Sequence, residues 1–299
     1  VRTNDDPLPP DRETTILLPL IGPFEVQPAM ALLAATAIPG AETADPKSSA
    51  YTRFIPLPDS TPTEVTVRLH RDHVALTHAG LSGHDLDHLT TVVRSWLDLD
   101  ADPDEIERAL GADPVIGALV VTRPGLRVIS YPAGFEAAVM TILGQHVSVA
   151  AARTFGARTV ATFGGPPGEN PGLRPFPTPA ALAHATPAEI QSAVGVTHAR
   201  ARSIHALAIA CAEGLVIEAQ ADGPELRRAL LALPGIGPWT LELLAVRALG
   251  DRDGYPAGDL VLQRALHVRS AAAAKAAAVA WSPFRAYALF HLWSSALGI

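Results

Sequence analysis

LPGIGPWTLELLAVRALGDRDGYPAGDLVLQRAL, Leu233 to Leu266, carries two glycines in one turn, a tryptophan directly behind them and a single aspartate twenty residues beyond that tryptophan. The preceding stretch PELRRALLAL has helical apolar spacing that ends at about Leu233. PGIG then makes a four-residue turn, and a second helix is predicted to start at Pro238. With no side chains at Gly235 and Gly237, the amides at the start of the second helix are open to a ligand. A helix N-terminus carries partial positive charge and unpaired N–H groups, which suits a phosphate. Read alone, PGIG is equally an ordinary turn between antiparallel helices, with glycine ending the first. Asp259, between YPAG and LVLQRAL, is by position the N-cap of a further helix.

Working outward, 299 residues with 48% hydrophobic content can bury a large core, and two domains are the expectation at this length. From Thr14 to about Gly80, TILLPL, YTRFIPL, EVTVRLH and HVALTH read as short strands and PAMALLAATAI as a helix. Arg71 and Asp72 make a hairpin between two of the strands. SGHDLDHLTTVVRSWLDL follows as a helix with Ser82 as its candidate cap. From Asp102 onward nearly every segment reads as helix. Asp102-Pro103 and Asp113-Pro114 mark starts, a break falls near Gly144, and GGPPGENPGLRPFP is a loop. The fold class is therefore a small α+β domain (14–100) followed by an all-α domain (101–299), with 1–13 as linker or disordered N-terminus.

Composition narrows the chemistry. The single Cys211 excludes an internal disulfide and any four-cysteine zinc or iron–sulfur site, and in IHALAIACAEG it reads as a small buried hydrophobe. The eleven histidines form no paired ligand motif, and His70, His73 and His78 fit alternating exposed strand positions without a metal. Net charge is −7, but residues 1–130 hold 10 Lys and Arg against 19 Asp and Glu, whereas 131–299 hold 13 against 11. The acid excess lies in the first part, so a nucleic-acid partner for the helical part is permitted. No apolar run reaches the roughly 18 residues of a membrane span, and VRTNDDPLPPDRE lacks a signal-peptide pattern, so a cytoplasmic location is expected. Val1 fits either an alternative start codon or a linker that follows another domain.

LPGIGPWT with Asp259 resembles the signature of the helix-hairpin-helix DNA glycosylases, and five segments in order are similar to the AlkA-type 3-methyladenine DNA glycosylase II family. The other four are LPLIGPFEVQPAMALLAATAIPGAE, RPGLRVISYPAGFEAAVMTILGQHVSVAAART, YPAGDLVLQRAL and WSPFRAYALFHLW. The resemblance implies an enzyme that rotates an alkylated purine out of duplex DNA and hydrolyses its N-glycosidic bond. Asp259 would be the catalytic carboxylate, facing a sugar with oxocarbenium character.

By the same resemblance Trp293 stacks on the extruded base, and Trp239, Leu243 and Gln145 line its pocket. His146 stands at the wedge that fills the gap, and Gly235, Gly237 and Thr240 hold the DNA backbone. Trp239 takes the place of the Schiff-base lysine of bifunctional members, so a monofunctional enzyme is implied. Two residues depart from the family: His146 where leucine or glutamine is usual, and Leu243 where a pocket aromatic stands. Three residue-level alternatives stay open: His146 as a solvent-facing histidine, Trp239 as core packing, and Asp259 as a cap that is also catalytic. So do two functional ones, a specialised glycosylase for bulky adducts and a non-catalytic DNA-binding module. Tyr287 and Phe290 are assigned to the core. No cofactor or catalytic metal is implied, although the hairpin carbonyls are expected to be able to hold a monovalent cation. The expected partner is double-stranded DNA with alkylated bases, bound by a monomer near the nucleoid. Relatives sometimes carry a fused upstream alkyl-transfer domain.

Overall fold

Alternating apolar residues put one face of each N-terminal strand inward, and a computed structural model, which describes residues 13–58, 61–168 and 172–298, shows where those faces go. Strands β1 (Glu13–Pro19), β2 (Glu42–Asp45), β3 (Ala50–Ile55), β4 (Thr63–Leu69) and β5 (His73–Ala79) form an antiparallel sheet in the order β1-β5-β4-β3-β2. Residues 1–12 of the segment read as linker lie outside the described residues, and Glu13 opens β1. The β4–β5 hairpin pairs Leu69 with Val74 around Arg71-Asp72. Helices α1 (Val26–Thr36) and α2 (Gly83–Trp96) cover the inner face, where Met30, Leu33, Leu89, Val93 and Trp96 meet Val65, Val67, Val74 and Leu76.

Two details differ from expectation. Ser82 occupies the N-cap of α2, but its side chain makes no capping bond there. His78 is not on an exposed face: it shares the inward side of β5 with Val74 and Leu76, and burial holds its imidazole below the usual range. No group of three metal-ligating side chains occurs among the described residues, and none of their helices is long and apolar enough to cross a membrane.

The helical part runs through α3 (Pro103–Leu110), α4 (Gly117–Thr122), α5 (Gly134–Gly144), α6 (Val149–Phe163), α7 (Pro179–His184), α8 (Pro187–Val194) and α9 (His198–Ala212). It continues with α10 (Pro224–Ala232), α11 (Pro238–Arg247), α12 (Leu260–Ala265), α13 (Ala271–Ala277) and α14 (Arg285–Leu297). Side-chain caps at Asp102, Ser148, Thr178, Thr186 and Thr197 set many of the starts. The Asp113-Pro114 start is displaced: Asp113 Oδ1 accepts from Val115 and Ile116 N in a turn, and α4 begins at Gly117.

Two cores organise these elements. One is built by α5, α6, α8, α9, α10 and α11 around Leu143, Ile204, Leu230 and Leu244. The other extends from the sheet into α14 through Trp281, Tyr287 and Leu289, so the last helix shares a core with the first strands.

Asp98 links these parts. It lies just past the end of α2 with φ +55° and accepts from Val128 N (3.1 Å) and Tyr287 Oη (3.3 Å) of α14. Burial pushes its carboxyl up to about 6. A raised folded-state value means the native state keeps the proton longer, so this contribution is present in acid and is lost as pH rises through about 6. Asparagine tolerates positive φ and keeps an acceptor. Asp98→Asn is therefore expected to be about 3 kcal/mol more stable than wild type near pH 8 and within about 1 kcal/mol of it near pH 4, as urea denaturation at the two pH values would show.

Candidate active site and DNA-binding hairpin

The hairpin forms as its residues dictate. Leu233 ends α10, and Ile236 N donates to Leu233 O (3.2 Å) across the turn. Gly235 has φ +81°, and a β-carbon there would sit 2.9 Å from Ser203 Cβ and closer still to its hydroxyl, so both conformation and space demand glycine. Gly237, the N-cap of α11, is different. Its φ of −97° suits any residue, and a β-carbon would meet nothing within 4 Å. No internal contact explains that glycine. No side chain caps the first turn of α11, so its N–H groups stay open, as anion binding requires.

Substitutions at these two glycines are therefore expected to have different effects. Gly235→Ala is expected to lower stability by about 1–3 kcal/mol. Gly237→Ala should leave thermal melting within about 1 kcal/mol of wild type and weaken duplex binding in a filter or anisotropy assay.

The turn between α5 and α6 is bolted to this hairpin. Gln145 donates through Nε2 to Gly235 O (2.8 Å) and to Thr240 Oγ1 (3.0 Å), and Arg200 donates to Gln145 O. Two expectations need revising on this geometry. Thr240 is 3% exposed with its hydroxyl turned to Gln145, so its side chain does not reach a DNA backbone; only its main-chain N–H, in the open first turn, remains for that. Gln145, assigned to the base pocket by resemblance, has its amide group tied to the hairpin. Next to it His146, in the turn, is exposed and left-handed, φ +56°, a conformation uncommon outside glycine that histidine adopts more often than most residues. Arg200, which braces this turn, carries no local sequence signal. Of the hairpin carbonyls, Leu233 O and Gly235 O each accept one bond, leaving one lone pair apiece for a cation.

Asp259 is the N-cap of α12. Its Oδ1 accepts from Leu262 N (2.8 Å) and from the indole Nε1 of Trp293 (3.1 Å); no donor among the described residues reaches Oδ2. Trp239 lies against the residue just before Asp259: a β-carbon on Gly258 would be 3.4 Å from the Trp239 Cδ1. Leu243, half-buried, follows one turn after Trp239 on α11. Trp293 leans on Phe290, centroids 5.5 Å apart at 47°, and lines a small apolar cavity with Pro28 and Leu32 of α1. Phe290 and Tyr287 are buried, as their core assignment anticipates. The two α1 residues have no local signal for this position; only the shared core brings α1 to α14. Cys211 packs against the helical core, and burial pushes its thiol up to about 12, which removes it as a thiolate at neutral pH.

A helical body that presents a glycine hairpin, a braced turn tip and a capped carboxylate beside two indoles defines the helix-hairpin-helix class. Family comparison agrees: residues 15–132 match the AlkA N-terminal domain, and residues 139–278 match the HhH-GPD superfamily of base excision DNA repair proteins. The chain is 38% identical over 288 residues to the probable bifunctional transcriptional activator/DNA repair enzyme AlkA of Mycobacterium tuberculosis, covering 94% of this chain and 57% of that protein. It is 34% identical over 225 residues to DNA-3-methyladenine glycosylase 2 of Escherichia coli K12, covering 75% of this chain and 77% of that protein. The structure of 3-methyladenine DNA glycosylase from Archaeoglobus fulgidus shares the fold, with a TM-score of 0.82 at 22% identity over 94% of this chain and 98% of that one. The chain belongs to the AlkA-type family of helix-hairpin-helix DNA repair glycosylases. It spans little more than half the length of its mycobacterial relative.

Proposed function

We propose that this chain is a monofunctional DNA glycosylase that removes alkylated purines from duplex DNA and leaves an abasic site. The supporting observation is the Asp259 carboxylate, with one oxygen held by two donors, one of them the indole of Trp293, and the other oxygen without a donor among the described residues, while Trp239 lies against the adjoining Gly258.

The open amides of α11 grip a phosphate, and His146 enters the gap left by the rotated nucleotide. Alkylation at N3 or N7 gives the purine a positive charge, which favours an indole face by about 0.5–2 kcal/mol. Trp293 supplies that face and Trp239 a second wall. As the C1′–N bond breaks, the purine leaves with the bonding electrons and becomes neutral, so no general acid is needed. The charge moves to the sugar, where Asp259 stabilises it until water adds at C1′ and gives up a proton. An indole at position 239 cannot form a Schiff base, so no strand cleavage follows. A monovalent cation at the hairpin would serve DNA binding, with no part in the bond-breaking step. The reading extends to a monomer acting on DNA in the bacterial cytoplasm.

The test is single-turnover incubation with duplexes containing 3-methyladenine or 7-methylguanine. Free base should be released, strands should break only after heating, and borohydride should trap no adduct. Binding without release would make the chain a DNA-binding module. Leu243 in place of an aromatic favours a second reading, preference for bulky adducts; a panel in which bulky purines leave faster than methylpurines would support it.

A further inference from the structure

Trp293 offers the base a stacking face, but its hydrogen bond points to a second task. We propose that Trp293 is also the positioning residue of the catalytic carboxylate, its indole N–H fixing which oxygen of Asp259 faces the sugar. This rests on the reading of Asp259 given above.

The cap bond from Leu262 N (2.8 Å) alone leaves a carboxylate free to rotate about Cβ–Cγ and exchange its oxygens. A second donor, arriving at the same Oδ1 from a different helix at 3.1 Å, removes that rotation and leaves Oδ2 unengaged by any described residue. The donor is itself fixed. Trp293 leans on Phe290 at 5.5 Å, and the guanidinium of Arg247 lies over Phe290 at 6.0 Å and over Tyr131 at 5.0 Å. Tyr287, on the same helix, is tied to Asp98. One rigid ring thus meets the base with its face and the carboxylate with its edge, so that placing the base also places the charge under its glycosidic bond.

The experiment replaces Trp293 with 3-benzothienylalanine, which keeps the fused ring and puts sulfur where the N–H was. Trp293→Phe, an aromatic without the donor, is measured in parallel. The probes are a 7-methylguanine duplex for release and a tetrahydrofuran abasic-analogue duplex for binding. Loss of a hydrogen bond to a charged group predicts release about tenfold slower for the isostere, with binding within about twofold of wild type. Release at the wild-type rate, or a loss matched by equally weaker binding, overturns the proposal. Asp259→Asn in the same assay separates the two layers. If that variant is inactive while the isostere is fully active, only the positioning role fails; if it retains full release, the parent reading fails.

Discussion

Asp259→Asn is expected to slow single-turnover release of a methylated purine by about a hundred- to a thousandfold, the range for removing a preorganised electrostatic partner of a developing charge. The fold should survive. Asparagine is as good an N-cap as aspartate, and its oxygen accepts from Leu262 N and Trp293 Nε1 as the carboxylate does. What disappears is the charge. An amide dipole beneath an oxocarbenium-like sugar offers a fraction of the stabilisation of a half-buried carboxylate. Binding of an abasic-analogue duplex should stay close to wild type, so that the loss appears in the rate and not in affinity. A variant that releases base at the wild-type rate would remove Asp259 from the mechanism.

The largest stability effect is expected at Arg53, which faces inward from β3 among apolar neighbours. Its guanidinium meets Glu42 Oε1 at 2.5 Å, bonds Glu136 at the start of α5 and lies 5.7 Å over Trp96. Arg53→Leu leaves two buried carboxylates without a cation, and such a change costs about 3–5 kcal/mol in urea or thermal unfolding. Burial already pushes Glu136 above the ordinary carboxylate range, and losing the cation pushes it further. The native state of the variant therefore takes up a proton that the unfolded chain releases, so stability is retained in acid and lost as pH rises. The deficit should be smaller near pH 5 than near pH 8.

Local chemistry made several features legible. Alternation set β1, β3, β4 and β5, whereas β2, with the sequence ETAD, has no alternation and exists because its backbone pairs with β3. Aspartate, serine or threonine, often followed by proline, located helix starts because capping is decided within one turn. The rule placed the start at Ser82 although that side chain makes no capping bond, and it ran three residues early at Asp113, whose side chain closes a turn before α4 begins. His78 was misplaced for a related reason. A polar residue on an alternating strand is assigned to solvent by its type, while the register of β5 in the sheet puts it inside.

Sequence alone determined the hairpin, its two glycines, the capping position of Asp259 and the presence of tryptophans at 239 and 293, because each depends on residue type and spacing over a few turns. Tertiary structure decided everything that joins distant segments. It turned Thr240 inward to Gln145, 95 residues away, aimed the indole of Trp293 at a carboxylate 34 residues back, and brought α1 beside α14. Those contacts follow from how two cores close around each other, and no local periodicity carries the direction in which a buried side chain then points.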